Sequence, residues 1–482
     1  MTGARAHQPF TGALAQALDA ALGRFAADIA ARDAAGDHCY ADLDVRAAAI
    51  AAGLVGLAPH EPVIVQVANR AADLAAFLGV WRAGGVVVPA HRAMPEAVRA
   101  DLLATTGARF AVDGSVRAVA DAPPPTRPLL DGAALVIFTS GSTGRPKGVV
   151  LGHDEFAGKL AAIDGWLGLD RTTRMLLVLQ ITFSFGIWNA LLTLLRGGLL
   201  VLEEKFEPAA TAAALRDHAI TVTALVPTML RALAGRYDGP LAPSVRRILT
   251  GGEPLNTGLA APVATMFPGA ELLDIYGLTE TSTCDLLLDS TGLYSTGATR
   301  AGLGQPTPGV ACRIADATGA DVAEGTVGEL LLRTRFAMRG YLDDPAQTAA
   351  ARHGDWLRTG DLARRDADGR IRLAGRAKDL ISRGANKISP LEIEQAMQRH
   401  PDVAAALATG VPDALMGERI HVLVLPRPGA ALDEAALRAW AADHLERFKR
   451  PDTIHIGSAL PVGRTGKADR GQLRALIERG DF

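Results

Sequence analysis

The sequence predicts an α/β protein: a large N-terminal domain of βα sheets that includes a small antiparallel barrel, followed by a small α+β C-terminal domain. Three observations lead to that class. Continuous β-branched runs alternate with amphipathic segments as far as about residue 275. After about residue 300 the strands shorten and glycine turns separate them. Near residue 375 a charged stretch leads into a new, well-marked helix start.

Taken in order, YADLDVRAAAIAAGL (40–54) suits an amphipathic helix and PVIVQVA (62–68) a buried strand. AADLAAFLGVWRAG (71–84) suits a second helix, leading into the strand VVVPA (86–90). An apolar β-branched run between helices is what a parallel strand covered on both faces requires. The proline-rich APPPTRP (122–128) reads as a surface connection before the strand ALVIF (134–138). The alternation resumes through LLVLE, ATAAALRDHA, TVTALV, VRRILTGG and ELLDIYG, between 199 and 277. VACRIADATGADVAEGTVGELLLR (310–333) has the short strands and turns of an antiparallel sheet or barrel. In GANKISPLEIEQAMQRH (384–400), Ser389 is placed to cap a helix, Pro390 suits its first position and Glu392 completes a capping box. The expected division is 1–377 for the large domain, barrel-like at about 300–375, and 378–482 for the small one.

At 482 residues, 49% of them hydrophobic, the chain can bury several core layers and is not a disordered polymer. A formal net charge of −2 supplies no global field for nucleic acid or for an anionic membrane surface. Cys39, Cys284 and Cys312 are too far apart for a metal-binding spacing and suit reduced thiols in the cytoplasm. Near the N-terminus, Gln16, Asp19, Arg24 and Asp28 interrupt any signal-peptide core. The uncharged run 175–195 is long enough to cross a bilayer, but Gln180, Thr182, Ser184, Asn189 and Thr193 would be costly in lipid. A buried strand, a turn and a core helix are expected there instead. The chain is expected to bind neither nucleic acid nor membrane, and to act as a monomer or homodimer.

The stretch TSGSTGRPKG (139–148) concentrates chemistry. Gly141 and Gly144 allow backbone N–H groups to turn toward one anion, while Thr139, Ser140, Ser142 and Thr143 offer hydroxyls and Lys147 a cation. That set fits a polyphosphate. It differs from the P-loop of NTPases, because Pro146 precedes the lysine and Gly148 and two valines follow it, so the lysine enters a strand instead of opening a helix. Further along come GGEPL (251–255), DIYGLTET (274–281), RGYLDDP (339–345), WLRTGDLARRDADGRIRLAGRAKDLI (356–381), GANKISPLEIE (384–394) and PVGRTGKADR (461–470). In this order, across roughly Tyr40 to Arg474, the series resembles the signature motifs of the adenylate-forming superfamily. That superfamily includes acyl-CoA synthetases, peptide-synthetase adenylation domains and luciferases.

The resemblance implies a two-step reaction: a carboxylate attacks the α-phosphorus of ATP, and a thiol then takes the acyl group from acyl-AMP. It implies ATP, Mg²⁺ and CoA, or the phosphopantetheine of a carrier protein, as the cofactors and co-substrates. Ser140, Gly141, Ser142, Thr143, Gly144, Thr139 and Lys147 match its phosphate loop, and Gly252 and Glu253 its next nucleotide-binding motif. Glu280 matches the Mg²⁺-binding glutamate, Thr279 the α-phosphate hydroxyl contact, and Tyr276, followed by Gly277, the aromatic that stacks on adenine. Asp361 matches the ribose-binding aspartate and Arg376 an arginine near ribose and phosphate. Lys378 falls at the hinge, and Lys467 matches the lysine that enters for adenylation. The family's small domain rotates between half-reactions, after which Arg383, Gly384 and Ala385 line a pantetheine tunnel. Read alone, Lys378 and Lys467 are ordinary surface lysines, so these roles rest on the motifs.

For the acid, FSFGIWN resembles the corresponding segment of benzoate-CoA ligases, with Phe183 three residues before Gly186 and Trp188 replacing a small residue. Amino-acid-activating relatives usually place an aspartate where Gly186 stands, so an α-amino acid is disfavoured: its ammonium would be buried unpaired. Phe183, Gly186, Ile187, Trp188, Gly251, Ile275, Thr283 and Cys284 are the expected walls of a compact, mostly apolar slot for an aromatic or short-chain acid. The alternative for the three aromatics of 183–188 is a plain core position. His153 is read as structural. Transfer to free CoA and loading of a carrier protein both remain open, since the two thiol arms are identical.

Overall fold

The computed structural model describes residues 13–122, 124–139, 146–255, 259–289, 302–384, 386–463 and 466–481. Two large mixed sheets organise the first part. In one, strands Ile29–Asp33, Leu199–Leu202, Arg174–Leu177, Val222–Ala224, Arg247–Gly251 and Glu271–Tyr276 run parallel, with antiparallel neighbours at both edges. In the other, Ala133–Thr139, Val86–His91, Pro62–Val67 and Phe110–Asp113 are parallel, and Lys147–Gly152 returns antiparallel beside Ala133–Thr139.

The β-branched runs behave as their composition requires. Along Pro62–Val67, Val63, Val65 and Val67 join the core shared by both sheets, whereas Ile64 points into a second core on the opposite face. Val87 and its neighbours Val86 and Val88 divide in the same way. Two helices, Ala71–Arg82 and Ser184–Leu195, are buried nearly all round, which explains why neither shows a polar face. The run 175–195 is therefore a strand, a turn and a core helix, and no helix among the described residues is long and apolar enough to cross a membrane.

Strands Val310–Ala315, Gly328–Thr334, Trp356–Arg365 and Ile371–Arg376 form an antiparallel sheet with its own apolar core, the short strand Arg352–His353 pairing beside them. Beyond it, Ile381–Arg383, Asn386–Ile388, Val403–Asp413, Gly417–Pro426 and Thr453–Ile456 make a further sheet packed on two helices around a separate core. The helix Pro390–Gln398 begins where expected, with Ser389 before it and Pro390 in its first position. The capping box is not made, however. The Ser389 hydroxyl is buried against Gly375 without a partner, and Lys449 holds the Glu392 carboxylate at 2.6 Å. A charged partner from elsewhere in the chain wins over the local backbone N–H.

Candidate active site

Strands Ala133–Thr139 and Lys147–Gly152, which flank the stretch TSGSTGRPKG, pair antiparallel. Thr139 pairs with Lys147, so the lysine emerges at the base of the stretch, facing the next elements of the site. Ser140, Gly141, Ser142, Thr143 and Gly144 lie outside the described residues, as does Ala385. The Lys147 ammonium stands 5.0 Å from the centre of the Tyr341 ring, and the Tyr341 hydroxyl donates to Glu280 Oε1 at 3.0 Å. Tyr341 reaches this place because Gly340–Tyr341 pairs with the strand that carries Lys147. Burial, with Glu280 beside it, pushes the Tyr341 phenol above its ordinary range.

Thr279 and Glu280 sit on a short 3-10 turn, Thr279–Thr281, at the end of strand Glu271–Tyr276. The chain leaves through three consecutive left-handed residues, Ser282, Thr283 and Cys284, at φ 59°, 69° and 49°. Such a run is rare for residues with side chains, and it reverses the chain within one turn. It leaves no room at Gly277, where a Cβ would strike the backbone of Thr283 and Cys284. The Thr279 hydroxyl lies 3.2 Å from that of Ser184, the first residue of the Ser184–Leu195 helix.

Asp361, buried on the strand Trp356–Arg365, sits in register with Arg376. One carboxylate oxygen accepts from Arg376 Nε at 2.7 Å and the other from the Tyr276 hydroxyl at 2.6 Å. Burial and this carboxylate raise the Tyr276 phenol well above its usual value. Each oxygen retains acceptor capacity, so a diol can bind without dismantling the pair.

Lys467 closes the site from the far end of the chain. Gly252, at φ 79°, has the Lys467 ammonium where a side chain would stand, and Gly466 packs on Met229. Glu253 is held by Thr228 at 2.9 and 2.8 Å and by Arg231 at 3.0 Å. Burial lowers the Lys467 pKa; Glu253 opposes that shift and Arg376 adds to it. Anions brought beside this ammonium would favour its charged form and oppose the lowering.

The acid-segment residues divide. Phe183 is half-buried just before the helix, and Phe185 stacks on Trp188 with ring centres 5.7 Å apart. Trp188, Ile187, Ile275, Thr283 and Cys284 are all buried, with the Cys284 thiol pushed up to about 12 by burial. Gly186 and Gly251 meet backbone: a Cβ would strike the carbonyl of Gln180 at the first and of Ile275 at the second. His153 packs edge-on to Trp81, and burial lowers its pKa to about 4, as suits a structural histidine. Lys378 is exposed on the turn Ala377–Asp379 directly after Arg376. Arg383 donates to the Phe448 carbonyl at 2.8 Å and to Asp452 at 2.5 Å, and Gly384 adopts φ 59° at the hairpin tip.

Sequence reasoning missed Ser184, Arg231 and Tyr341. Ser184 and Tyr341 stand inside motifs that were recognised, yet their side chains become site groups only through pairing with distant segments.

The described residues contain no cluster of three or more His, Cys, Asp or Glu able to hold a metal. A lone half-buried carboxylate at Glu280 instead fits an ion such as Mg²⁺, which takes most of its ligands from phosphate and water.

Comparison with known proteins gives a consistent picture. The profile described as "AMP-binding enzyme" matches residues 18–124 and 113–342, and "AMP-binding enzyme C-terminal domain" matches 392–467. The chain is 31% identical over 464 residues to a feruloyl-CoA synthase of Amycolatopsis sp, covering 90% of this chain and 93% of that protein. It is 30% identical over 512 residues to pyochelin synthase PchD of Pseudomonas aeruginosa, covering 96% and 92%. Among solved structures, a benzoate CoA ligase from Burkholderia xenovorans LB400 superposes with a TM-score of 0.84 at 24% identity, covering 96% and 100%.

Proposed function

The chain belongs to the AMP-binding enzymes of the adenylate-forming superfamily and is an AMP-forming acid–thiol ligase, and from that premise we propose that it activates a small, aromatic carboxylic acid and transfers it to CoA. In the first half-reaction a carboxylate oxygen attacks the α-phosphorus of ATP, the bond to the β-phosphate breaks and pyrophosphate leaves. In the second, a thiol sulfur attacks the acyl carbon, the bond to AMP breaks and the thiol proton goes to solvent.

The observation that carries the proposal is the convergence on one place of Lys467, Gly252, Glu253, Thr279, Glu280 and the Asp361–Tyr276–Arg376 set. Asp361 takes the ribose hydroxyls while Arg376 and Tyr276 hold its carboxylate in place. Lys467 bridges the attacking carboxylate and an α-phosphate oxygen, where a flexible point charge suits two anions brought together. Thr279 donates to the α-phosphate, and Lys147 with the rest of the stretch TSGSTGRPKG holds the pyrophosphate side. Glu280 would hold Mg²⁺, which would supply neutralisation of the triphosphate charge. The residues after Lys378 form a lid that rotates between half-reactions, withdrawing Lys467 and bringing the Arg383–Ala385 hairpin to the acyl-AMP.

An aromatic acid is supported by Phe183 and Phe185 at the start of the buried helix, and by relatives named for ferulate and benzoate. Gly186 supports the exclusion of α-amino acids: its Cβ position is filled by the Gln180 carbonyl, so no carboxylate can be built there for a substrate ammonium. A second reading, loading of a carrier-protein phosphopantetheine, is favoured by the similarity to pyochelin synthase PchD and to a fatty acid–[acyl-carrier-protein] ligase. ATP–pyrophosphate exchange across benzoates, cinnamates and short aliphatic acids tests the substrate class; preferential exchange with aliphatic acids would overturn it. With the best acid, rapid acyl-CoA formation is expected, and turnover with a holo-carrier alone would favour the second reading.

A further inference from the structure

Among the described residues, the most deeply buried ion pair of the large domain belongs to no group in the mechanism above. Lys159, on the helix His153–Leu167, and Asp285, just past the three left-handed residues, are both 0% exposed, with Nζ 3.0 Å from Oδ1. Lys159 also donates to the Thr307 hydroxyl at 3.4 Å, and its ammonium lies 5.8 Å from the centre of the Phe336 ring. Burying two charges in an apolar core gains little stability over a well-packed apolar pair, so a structural role alone gives weak reason to keep them.

What the pair touches is more informative. Besides Lys159, the Asp285 carboxylate accepts from the Thr281 hydroxyl and from the Leu278 N–H at 3.3 Å. Those two donors bracket Thr279 and Glu280. Asp285 N–H also donates to the Tyr276 carbonyl at 2.7 Å, and Thr283 N–H to the Leu278 carbonyl at 2.8 Å, closing the loop on itself. Outside the loop, Thr307 donates to the Cys284 carbonyl at 2.8 Å and Ser282 to the Phe336 carbonyl at 2.8 Å. The left-handed run has no glycine to relieve it, so its shape depends on these outside bonds. One ammonium, on a helix that begins where the phosphate hairpin ends, thus anchors the carboxylate that holds both ends of the Thr279–Glu280 turn.

We propose that Lys159 and Asp285 are positioning residues for acid activation, their buried ion pair setting the Thr279 hydroxyl and Glu280 carboxylate where the Mg·ATP triphosphate needs them. This rests on the acid-activation mechanism proposed above. The pair touches no reacting atom. It acts through the turn, and through Lys159 it ties that turn to the element that carries the phosphate hairpin.

Two variants of the full chain test it. Lys159→Met with Asp285→Asn removes both charges and strands neither. Thr281→Val removes one of the carboxylate's two holds on the turn, together with the hydroxyl's 3.1 Å contact with the Leu278 carbonyl, and leaves the ion pair and the Leu278 N–H bond whole. For each, thermal unfolding, calorimetric binding of Mg·ATP without acid, and pyrophosphate exchange are measured. Small displacements of positioned groups can cost about 100-fold in rate. The double variant is therefore expected to lose about that factor in exchange kcat, with weakened Mg·ATP binding and an unchanged KM for the acid. Thr281→Val is expected to lose less, in the same pattern and at wild-type melting temperature. Wild-type kcat and wild-type Mg·ATP affinity in Thr281→Val would overturn the proposal, even if the double variant failed to fold. If the wild type exchanged with no acid, the acid-activation mechanism would fall, and calorimetry on the same variants would still decide this inference.

Discussion

The groups of the candidate nucleotide site are held in two very different ways. Tyr276 ends a strand of the large sheet, Thr279 and Glu280 sit on the tight turn after it, and Asp361 lies within a strand of the antiparallel sheet. Tyr276 is hydrogen-bonded to Asp361, and the set is further tied to Arg376, Tyr341 and Ser184. Lys467 comes from a loop of the small C-terminal unit and rests on little: a glycine surface at Gly252, the contact of Gly466 with Met229, and the charge of Glu253. The first set is preorganised by its neighbours, which is how a site stabilises developing charge without reorganising. The second is docked, and docking can be undone. This contrast is what a two-step enzyme needs if one cation serves the first step and must leave before the second.

The largest effect should come from removing the docked group. Lys467→Ala is expected to lower pyrophosphate exchange by roughly 10²–10³-fold, the scale of deleting one charge-stabilising donor. Thioester formation from supplied acyl-AMP should be largely spared if, as proposed, the lysine is withdrawn in that step. Equal loss in both half-reactions would break the contrast, making Lys467 part of the fixed set.

A smaller and differently distributed effect is expected from the fixed set. Asp361→Asn keeps the shape but weakens a charge-assisted bond to Arg376 and the contact with ribose. Bonds of that kind are worth about 1.5–3 kcal/mol, which corresponds to roughly 10–100-fold. Since the AMP moiety is present throughout, both half-reactions should slow, with raised KM for ATP and for acyl-AMP. A loss confined to exchange would show that Asp361 serves only one state of the enzyme.

The two regions also differ in how visible they were in the sequence. The fold was legible because periodicity is local: a run such as PVIVQVA states its burial on both faces without knowing its partners. The docked lysine's role was read from a contiguous motif, and its place beside Gly252 and Glu253 is what the structure adds. The fixed network was only half legible, since its strength comes from pairs such as Lys159 with Asp285, 126 positions apart, and Tyr341 with Glu280, 61 apart. No local pattern marks a lysine inside an apolar helix as the partner of an aspartate on a distant turn. The same non-locality defeated the capping box, where Glu392 turned to Lys449.

The smallest expected effect is a matter of pH, and it separates the two regions. The proposed mechanism needs Lys467 protonated for adenylation, and burial lowers its pKa below the ordinary lysine value. A lowered pKa means the ammonium loses its proton at lower pH than a solvent lysine would. The kcat/KM for ATP in pyrophosphate exchange should therefore fall on the alkaline side before the usual lysine range, since that parameter reports groups of the free enzyme. The fixed phenols cannot cause this limb, because Tyr276 and Tyr341 are both pushed upward by burial and by their carboxylate partners. Nor can Cys284, whose thiol titrates only at about 12. Lys467→Arg carries a charge that does not titrate in this range, so its exchange, though slower, should lose the limb. Thioester formation from supplied acyl-AMP, for which the proposal gives Lys467 no part, should show no limb of this origin in either protein. If the arginine variant kept the limb, the titrating group would lie in the fixed network, and the division between docked and built-in groups would have to be redrawn.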